Sequence, residues 1–236
     1  MAAPVVTLAR GVYRIPTLGD LINSFAFLDD DGQVTLVDCG IARAPRRIVE
    51  ALAGIGRTPA DVTRIVLTHA HVDHAGGAHE LVQRTAASGV AIHEADAPFA
   101  RAGHSAPTAQ STMGRLMSRG PTASFTPFPV VTELVDGQVI DVGGGLRVVH
   151  TPGHTPGHVS LLHESSGVLI TGDAIFNMAS RMRWPIAAVC TSFRQNKQSA
   201  HVLGELDYDV AAFTHGPEIR DSAREKVRGF LRRKGA

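Results

Sequence analysis

The amino-acid sequence predicts an α/β fold in which two β-sheets face each other and helices cover their outer surfaces. Short β-rich runs alternate with helical patterns along the chain, and the same order of elements recurs in its second half. Each sheet has an apolar face to bury, so two β-rich halves with accompanying helices are expected to stack in layers. A chain of 236 residues suits one ordinary domain, and we expect that domain to span residues 1–236.

The first half contains β-rich runs that end at turn residues. Pro45 opens the first helix, because Ile48, Leu52 and Ile55 recur behind it at helical spacing. Residues 64–68 form a short apolar run, which is typical of a strand buried on both faces. The predicted strands of this half are residues 5–8, 11–15, 21–28, 34–37, 64–68 and 90–93, and a second helix is predicted over 74–87.

The second half repeats this order of strands and helices. Strands are predicted at 130–134, 138–142, 146–150, 158–164, 167–171 and 209–214, and helices over 192–206 and from Pro217 onward. Two irregular, lid-like stretches, at about 103–129 and 176–191, interrupt the order. The first is rich in Ser, Thr, Pro and Gly and includes one short predicted helix at 110–117. It is too short for a core of its own, so we expect an insertion rather than a second domain.

The composition excludes several classes of partner. The formal net charge is +1, so the chain has no strong overall field for nucleic acid or an anionic membrane. No apolar stretch approaches the length of about 18–20 residues that crosses a bilayer, and the first residues lack the pattern of a secretion signal. Cys39 and Cys190 form no CxxC motif, which indicates reduced structural thiols in a cytoplasmic protein. The sequence leaves the oligomeric state open.

Histidine is unusually frequent, and its distribution predicts a metal site. The chain has 12 His, as many as Phe, Tyr and Trp together, and no run of consecutive His that would indicate a tag. The segment His69-x-His71-x-Asp73-His74 directly follows a predicted buried strand. In extended backbone, residues i and i+2 point the same way, so His69 and His71 can grip one metal ion from one side. Asp73 and His74 follow where the chain turns into a helix, and they can face a second ion.

Three further predicted strands end at similar residues. His154 lies in the loop after residues 146–149, Asp173 follows 168–170, and His215 follows 210–213. Small residues flank each of them, so the loops can approach one another closely. Loops at strand ends on a rigid scaffold are where functional sites are usually built.

The order and spacing of these residues resemble the metallo-β-lactamase superfamily, in particular its glyoxalase II-like and lactonase-like hydrolases. The resemblance covers essentially the whole chain and implies a four-layer αβ/βα sandwich, with a dinuclear metal site between the sheet edges. It implies that Asp38 supports the metal loop from behind. By the same resemblance one metal is bound by His69, His71 and His154, a second by Asp73, His74 and His215, and Asp173 bridges the two.

Imidazole and carboxylate ligands suit two divalent metal ions, with Zn²⁺ expected and Fe or Mn as alternatives. A metal-bound hydroxide is available at neutral pH because the metal lowers the pKa of its water to about 7. Asp73 is the best proton shuttle beside that water, which makes it the candidate catalytic residue. We therefore predict a hydrolase that cleaves a carbonyl ester, thioester or lactone of a small molecule.

Several departures from known subfamilies leave alternatives open. The chain ends about one helix after His215, so no glutathione-binding region is expected. Phe176 stands where the family's acyl-homoserine lactonases carry Tyr. A phosphodiesterase or nuclease remains an alternative that would need a basic track. A mononuclear iron persulfide dioxygenase and a metal-binding module without turnover are two others.

The predictions outside the metal ligands are weaker. Phe125, Phe128, Phe176 and Trp184 lie in the two irregular stretches, where they could line the substrate mouth or merely anchor the loops. His150 and His158 flank the His154 loop, and either could support the ligands.

Overall fold

Two β-sheets pack face to face in the computed structural model, which describes residues 5–107 and 123–234. The larger sheet has seven strands in sequential order. They are β1 (Val6–Ala9), β2 (Val12–Pro16), β3 (Asn23–Leu28), β4 (Val34–Val37), β5 (Val62–Val66), β6 (Val90–His93) and β7 (Val130–Leu134). Strands β1 to β4 pair antiparallel, and β4 to β7 pair parallel.

The second sheet has five strands. They are β8 (Val139–Ile140), β9 (Leu146–His150), β10 (Val159–His163), β11 (Val168–Ile170) and β14 (Val210–Ala212). Their order is β14-β11-β10-β9-β8, and only the pair of β11 with β14 is parallel. A separate hairpin consists of β12 (Phe176–Met178) and β13 (Arg181–Arg183).

Helices cover the outer face of each sheet. They are α1 (Pro45–Gly54), α2 (Val72–Ala75), α3 (Ala78–Arg84), α4 (Ala97–Ala102), α5 (Phe193–Ser199) and α6 (Ala223–Lys234). Short 3₁₀ turns at Pro59–Asp61, Gly172–Ala174, Ala187–Val189 and Ala200–Gly204 complete the described elements. No helix in the described part of the chain is long and apolar enough to cross a membrane.

Three apolar layers hold these elements together. The alternation of side chains along β3 separates two of them, because Phe25 and Phe27 face the second sheet whereas Ala26 faces the helices. Ile48 and Leu52 of α1 pack against that outer face. On the other side, α6 packs its apolar stripe on the outer face of the five-stranded sheet. The predicted αβ/βα sandwich is confirmed.

Several element boundaries differ from the sequence-based expectation. The helix expected over 74–87 is split into α2 and α3, because His74 O accepts from Cys39 N–H and Gly77 N–H donates to Gly40 O instead of bonding within a helix. The helix expected from Pro217 begins at Ala223, and α4 was not expected. The stretch 176–191 is not wholly irregular, since it contains the hairpin β12–β13. Residues 108–122, including the helix predicted at 110–117, lie outside the described residues.

One edge of the sandwich is closed by hydrogen bonds between the ends of the two sheets. Val159 N–H donates to Thr68 O at 2.9 Å, and Asn23 N–H donates to Thr214 O at 2.8 Å. Asn23 Nδ2 also donates to the carbonyls of Phe213 and Gly216. The loop that follows β5 is thereby tied to the start of β10, and the loop that follows β14 is tied to the start of β3.

Phe25 tests the layer between the sheets, where its side chain is fully buried. We expect Phe25→Ala to lower the free energy of unfolding by about 3–5 kcal/mol, because the lost apolar contacts leave a cavity. Equilibrium unfolding in urea measures this. Val131→Ala is the control, since Val131 is 55% exposed, and its effect should stay within about 0.5 kcal/mol. A loss below about 1 kcal/mol for Phe25→Ala would contradict the described packing.

Candidate metal centre

The segment after β5 changes from extended to helical backbone within the motif itself. His71 is extended, with φ −102° and ψ 156°, and α2 begins at the next residue. The extended part brings the rings of His69 and His71 together, with centroids 4.7 Å apart. Asp73 and His74 lie in the first turn of α2, where the His74 ring lies 4.0 Å from the His69 ring between centroids and His74 Nε2 is 3.7 Å from Asp73 Oδ2. One short segment therefore supplies ligands to two neighbouring points.

The predicted ligands form three overlapping groups of three, one of which (His69, His74 and Asp173) links the other two. One potential ligand atom from each of His69, His71 and His154 lies within 4.8 Å of the other two. The same holds for Asp73, His74 and His215. We call these two groups the first and the second triad. Their composition matches the predicted division of ligands between two metals, while the ligand roles themselves stay predictions.

Asp173 lies between the triads and faces both of them. Its Oδ2 is 3.0 Å from His154 Nε2 and 4.0 Å from His69 Nε2. Its Oδ1 is 3.4 Å from His74 Nε2 and 3.3 Å from His215 Nε2. One carboxylate thus presents one oxygen to each triad, which is the geometry that the predicted bridging role requires.

The imidazoles carry the strongest sign that a cation fits here. Nε2 of His69, of His74 and of His154 is buried and makes no hydrogen bond among the described residues, although an Asp173 oxygen lies 3.0–4.0 Å from each. Buried polar atoms in native proteins nearly always have a partner. Three unpartnered nitrogens that converge with two carboxylates form a donor set typical of a divalent metal. The residues present therefore fit the predicted metals.

The opposite ring nitrogens are held by neighbours, which turns Nε2 toward the centre. Asp38 is fully buried, and its Oδ2 accepts from His74 Nδ1 at 2.8 Å. Asp38 Oδ1 accepts from Thr68 N–H at 2.8 Å. The Thr68 hydroxyl donates to the same carboxylate and lies 3.1 Å from His69 Nδ1, from which it can accept. Asp38 thus contacts the ligand loop from behind, and its role as a support of the metal site stays a prediction.

The sequence left the role of His158 open, and the structure places it beneath Asp173. Its Nε2 accepts from Asp173 N–H at 2.7 Å, while its Nδ1 donates to Thr151 O at 2.9 Å. Burial lowers the pKa of His158 to about 3, which keeps the ring neutral and able to accept. His150 instead stacks on His93 and contacts Pro156 O through Nε2. Both histidines brace the His154 loop without joining the triads.

Asp96 belongs to the site although the sequence did not predict it. This residue is fully buried and its carboxylate contacts the loops of both His69 and His154. The only sequence signal is an Asp before Ala-Pro, which is typical of the start of a helix. That signal says nothing of a contact with distant loops.

The electrostatics of the centre favour positive charge. Burial lowers the pKa of His71 to about 3, so this ring is neutral at pH 7 and its lone pair is free. Burial alone would also lower the pKa of His74, but the nearby carboxylates, led by Asp173, raise it well above its usual range. Their negative potential equally favours a bound cation.

A cavity of about 310 Å³ opens beside the triads. Its floor contains polar atoms of the site, and its walls are mostly apolar. The described wall residues are Val72, Ser105, Ala106, Ala123, Phe176, Met178, Ile186, Ala188 and Val189.

Phe176 is the one predicted mouth residue among these described wall residues, and its ring contacts the His215 ring at 4.4 Å. Phe128 packs instead in the layer beneath the larger sheet, with Phe125 stacked on it at 5.6 Å. Trp184 packs on Phe230 at 4.8 Å. None of these three residues is among the described residues that line the cavity. Their role at the substrate mouth stays a prediction.

Comparisons with known proteins agree with this geometry. A family model described as the metallo-beta-lactamase superfamily matches residues 18–215, which include all predicted ligands. The probable metallo-hydrolase YybB of Bacillus subtilis (strain 168) is 25% identical over 82% of this chain and 80% of its own. A hydroxyacylglutathione hydrolase of Synechococcus sp. is 29% identical over 70% of this chain and 53% of its own.

A solved structure shows the same fold. A metallo-beta-lactamase family protein from Thermus thermophilus superposes with a TM-score of 0.71 and 27% identity. The match covers 96% of this chain and 81% of the other.

Asp38 provides a test of how the ligands are held. We expect Asp38→Asn to weaken metal affinity about 10- to 100-fold, because its amide no longer accepts strongly from both His74 and Thr68. Asn is the suitable replacement since Asp38 has φ 60°, a conformation that Asn tolerates. Competition with a chromophoric chelator measures the affinity. Asp207→Asn, at a side chain 96% exposed, is the matched control. Equal affinities in both variants would show that Asp38 does not hold the site.

Proposed function

Because the chain belongs to the metallo-beta-lactamase superfamily, we propose that it is a dinuclear metallohydrolase that cleaves a carbonyl ester, thioester or lactone of a small molecule. The observation that carries the proposal is the Asp173 carboxylate, which presents one oxygen to each triad. A mononuclear site has no need of such an arrangement.

The donor set supports Zn²⁺, with Fe or Mn as alternatives, since it consists of imidazoles and carboxylates. Cys190 is the thiol nearest to the ligands, with Sγ 3.5 Å from His154 Nδ1. Burial raises the pKa of Cys190 to about 12, so it remains a neutral thiol. It contacts the nitrogen of His154 that faces away from the triad. Cys190 therefore supports the ring and does not enter the proposed ligand set.

Bound divalent metals would supply an activated water and polarise the substrate carbonyl. The chain supplies proton transfer and orientation. The Asp73 side chain is 30% exposed and lines the cavity, with Oδ2 3.4 Å from His215 Nε2. Its carboxylate is placed to accept a proton from the attacking water and to return it to the leaving group. Asp173 is held for its bridging position by the Thr214 hydroxyl, which donates to Oδ1 at 2.7 Å.

The cavity supports an uncharged carbonyl substrate over a phosphodiester. Among the residues described, none that lines it is Lys or Arg, whereas Val72, Phe176 and Met178 present apolar surface. Phosphate backbones are bound chiefly by cationic side chains. An ester, thioester or lactone with a small apolar group matches the cavity better. The name of the Synechococcus relative adds an acylglutathione to the thioesters that deserve a test.

A substrate panel tests this proposal. The zinc-loaded protein is assayed on aryl esters, acyl thioesters including an acylglutathione, lactones and bis-p-nitrophenyl phosphate, an Fe²⁺-loaded sample is assayed with O₂ on a persulfide, and the metal content of each sample is measured. We expect turnover of at least one carbonyl substrate, and none without metal. Turnover of the phosphodiester or the persulfide alone would replace the proposal by one of those activities. No turnover at all would favour a metal-binding module.

Asp73 tests the assigned proton transfer. We expect Asp73→Ala to reduce kcat/KM at least about 10²-fold, since it removes both a ligand of the second triad and the proton acceptor. Asp207→Ala serves as the exposed control and should retain full activity. Steady-state kinetics on the best substrate of the panel measure both. Near-normal activity of Asp73→Ala would refute the assignment.

A further inference from the structure

Asp96 is a buried carboxylate that its own helix does not use. It precedes α4, yet its side chain makes no capping hydrogen bond to that helix. It is fully buried, and none of the ion pairs between described residues includes it. A buried carboxylate without a cationic partner is expensive unless several donors satisfy it. The donors that do so here all come from other segments.

Three donors reach Asp96, and they belong to the two loops that carry the first triad. Oδ2 accepts from Ala70 N–H at 2.9 Å and from the Thr155 hydroxyl at 2.7 Å. Oδ1 accepts from Gly157 N–H at 2.7 Å. Ala70 lies between His69 and His71, and Thr155 directly follows His154. A single carboxylate therefore joins the backbone beside all three imidazoles.

The close approach of these loops is built into the sequence. A Cβ on residue 157 would lie 2.6 Å from Asp96 N and 2.8 Å from Asp96 Cβ. Glycine at this position allows the His154 loop to reach the carboxylate. The second triad has different supports, because His74 Nδ1 contacts Asp38 and His215 Nδ1 contacts Leu21 O. The hydrogen bonds of Asp96 thus reach the loops of the first triad, whereas those that hold His74 and His215 come from other residues.

We propose that Asp96 is a positioning residue that sets the spacing of His69 and His71 relative to His154, and thereby the metal affinity of the first triad. The inference rests on the proposed two-metal centre. By this proposal Asp96, which is not itself a ligand, sets the geometry of the first triad. The second triad keeps its own hydrogen bonds to Asp38 and Leu21 O, so we expect its metal affinity to be unaffected.

Variants that each retain one triad separate the two halves. His71→Ala disables the first triad and Asp73→Ala the second, so each parent should bind one metal ion. Asp96→Asn is then added to each parent. The amide has nearly the size of the carboxylate, but it must turn its NH₂ toward at least one of three donors. In the Asp73→Ala parent we expect a loss of about 10- to 100-fold in Zn²⁺ affinity, and in the His71→Ala parent no change.

Several readouts separate this role from a general loss of structure. Zn²⁺ affinity is measured by chelator competition, and Co²⁺ absorption reports the geometry of the remaining site. Circular dichroism of the apo forms checks folding. Thr155→Val removes only one donor at a buried side chain and should give a smaller loss at the same triad. Asp29→Asn, in the cavity at Gly143 and His163, is the matched control and should leave both affinities unchanged.

The affinities of the two parents decide whether Asp96 positions the first triad. Equal losses in both parents would overturn the proposal, because Asp96 would then stabilise the fold as a whole. Unchanged affinity in both parents would overturn it as well. If Asp96→Asn fails to fold, an unchanged affinity in Thr155→Val would overturn it. A wild-type chain that binds only one metal ion would instead refute the two-metal centre, and that arm is read independently of Asp96.

Discussion

The structure depends on burying imidazole nitrogens that have no hydrogen-bond partner within the described protein. These nitrogens are Nε2 of His69, of His74 and of His154. A buried polar atom without a partner destabilises the folded state by about 1–3 kcal/mol. Such an arrangement persists when a ligand compensates for it. Asp38 and Thr68 hold the opposite ring nitrogens of His74 and His69, so these rings cannot turn away. The candidate metal site therefore depends on the hydrogen bonds of the scaffold around it.

The sandwich makes this site rigid, because loops from both sheets meet at one closed edge. Val159 N–H and Thr68 O join the two sheets directly beside the ligand loop. Asp96 then ties the loop of His69 and His71 to the loop of His154. Small backbone shifts at these positions would separate ligands by more than metal coordination tolerates, since metal sites require distances within about 0.2 Å. Outer hydrogen bonds thus matter as much as the ligands themselves.

The sequence indicated which candidate ligands converge, but of the residues that hold them it indicated only Asp38 and left His158 open. His69, His71, Asp73 and His74 are close along the chain, so strand and helix periodicity alone places them around one point. Asp96 and Ala70 are 26 positions apart in the sequence, so the local spacing of residues does not predict their contact. The surroundings of the aromatic residues were equally hard to predict. Whether a Phe faces the cavity or the core depends on which layer packs over it. The split between α2 and α3 has a tertiary cause too, since backbone groups of His74 and Gly77 bond to Cys39 and Gly40 rather than within a helix.

Anomalous X-ray diffraction at the zinc edge, on crystals of the zinc-loaded protein, tests the central claim most directly. A dinuclear centre predicts two peaks about 3.5–4 Å apart, one among His69, His71 and His154, the other among Asp73, His74 and His215, with Asp173 between them. A single peak, or peaks away from these side chains, would contradict it.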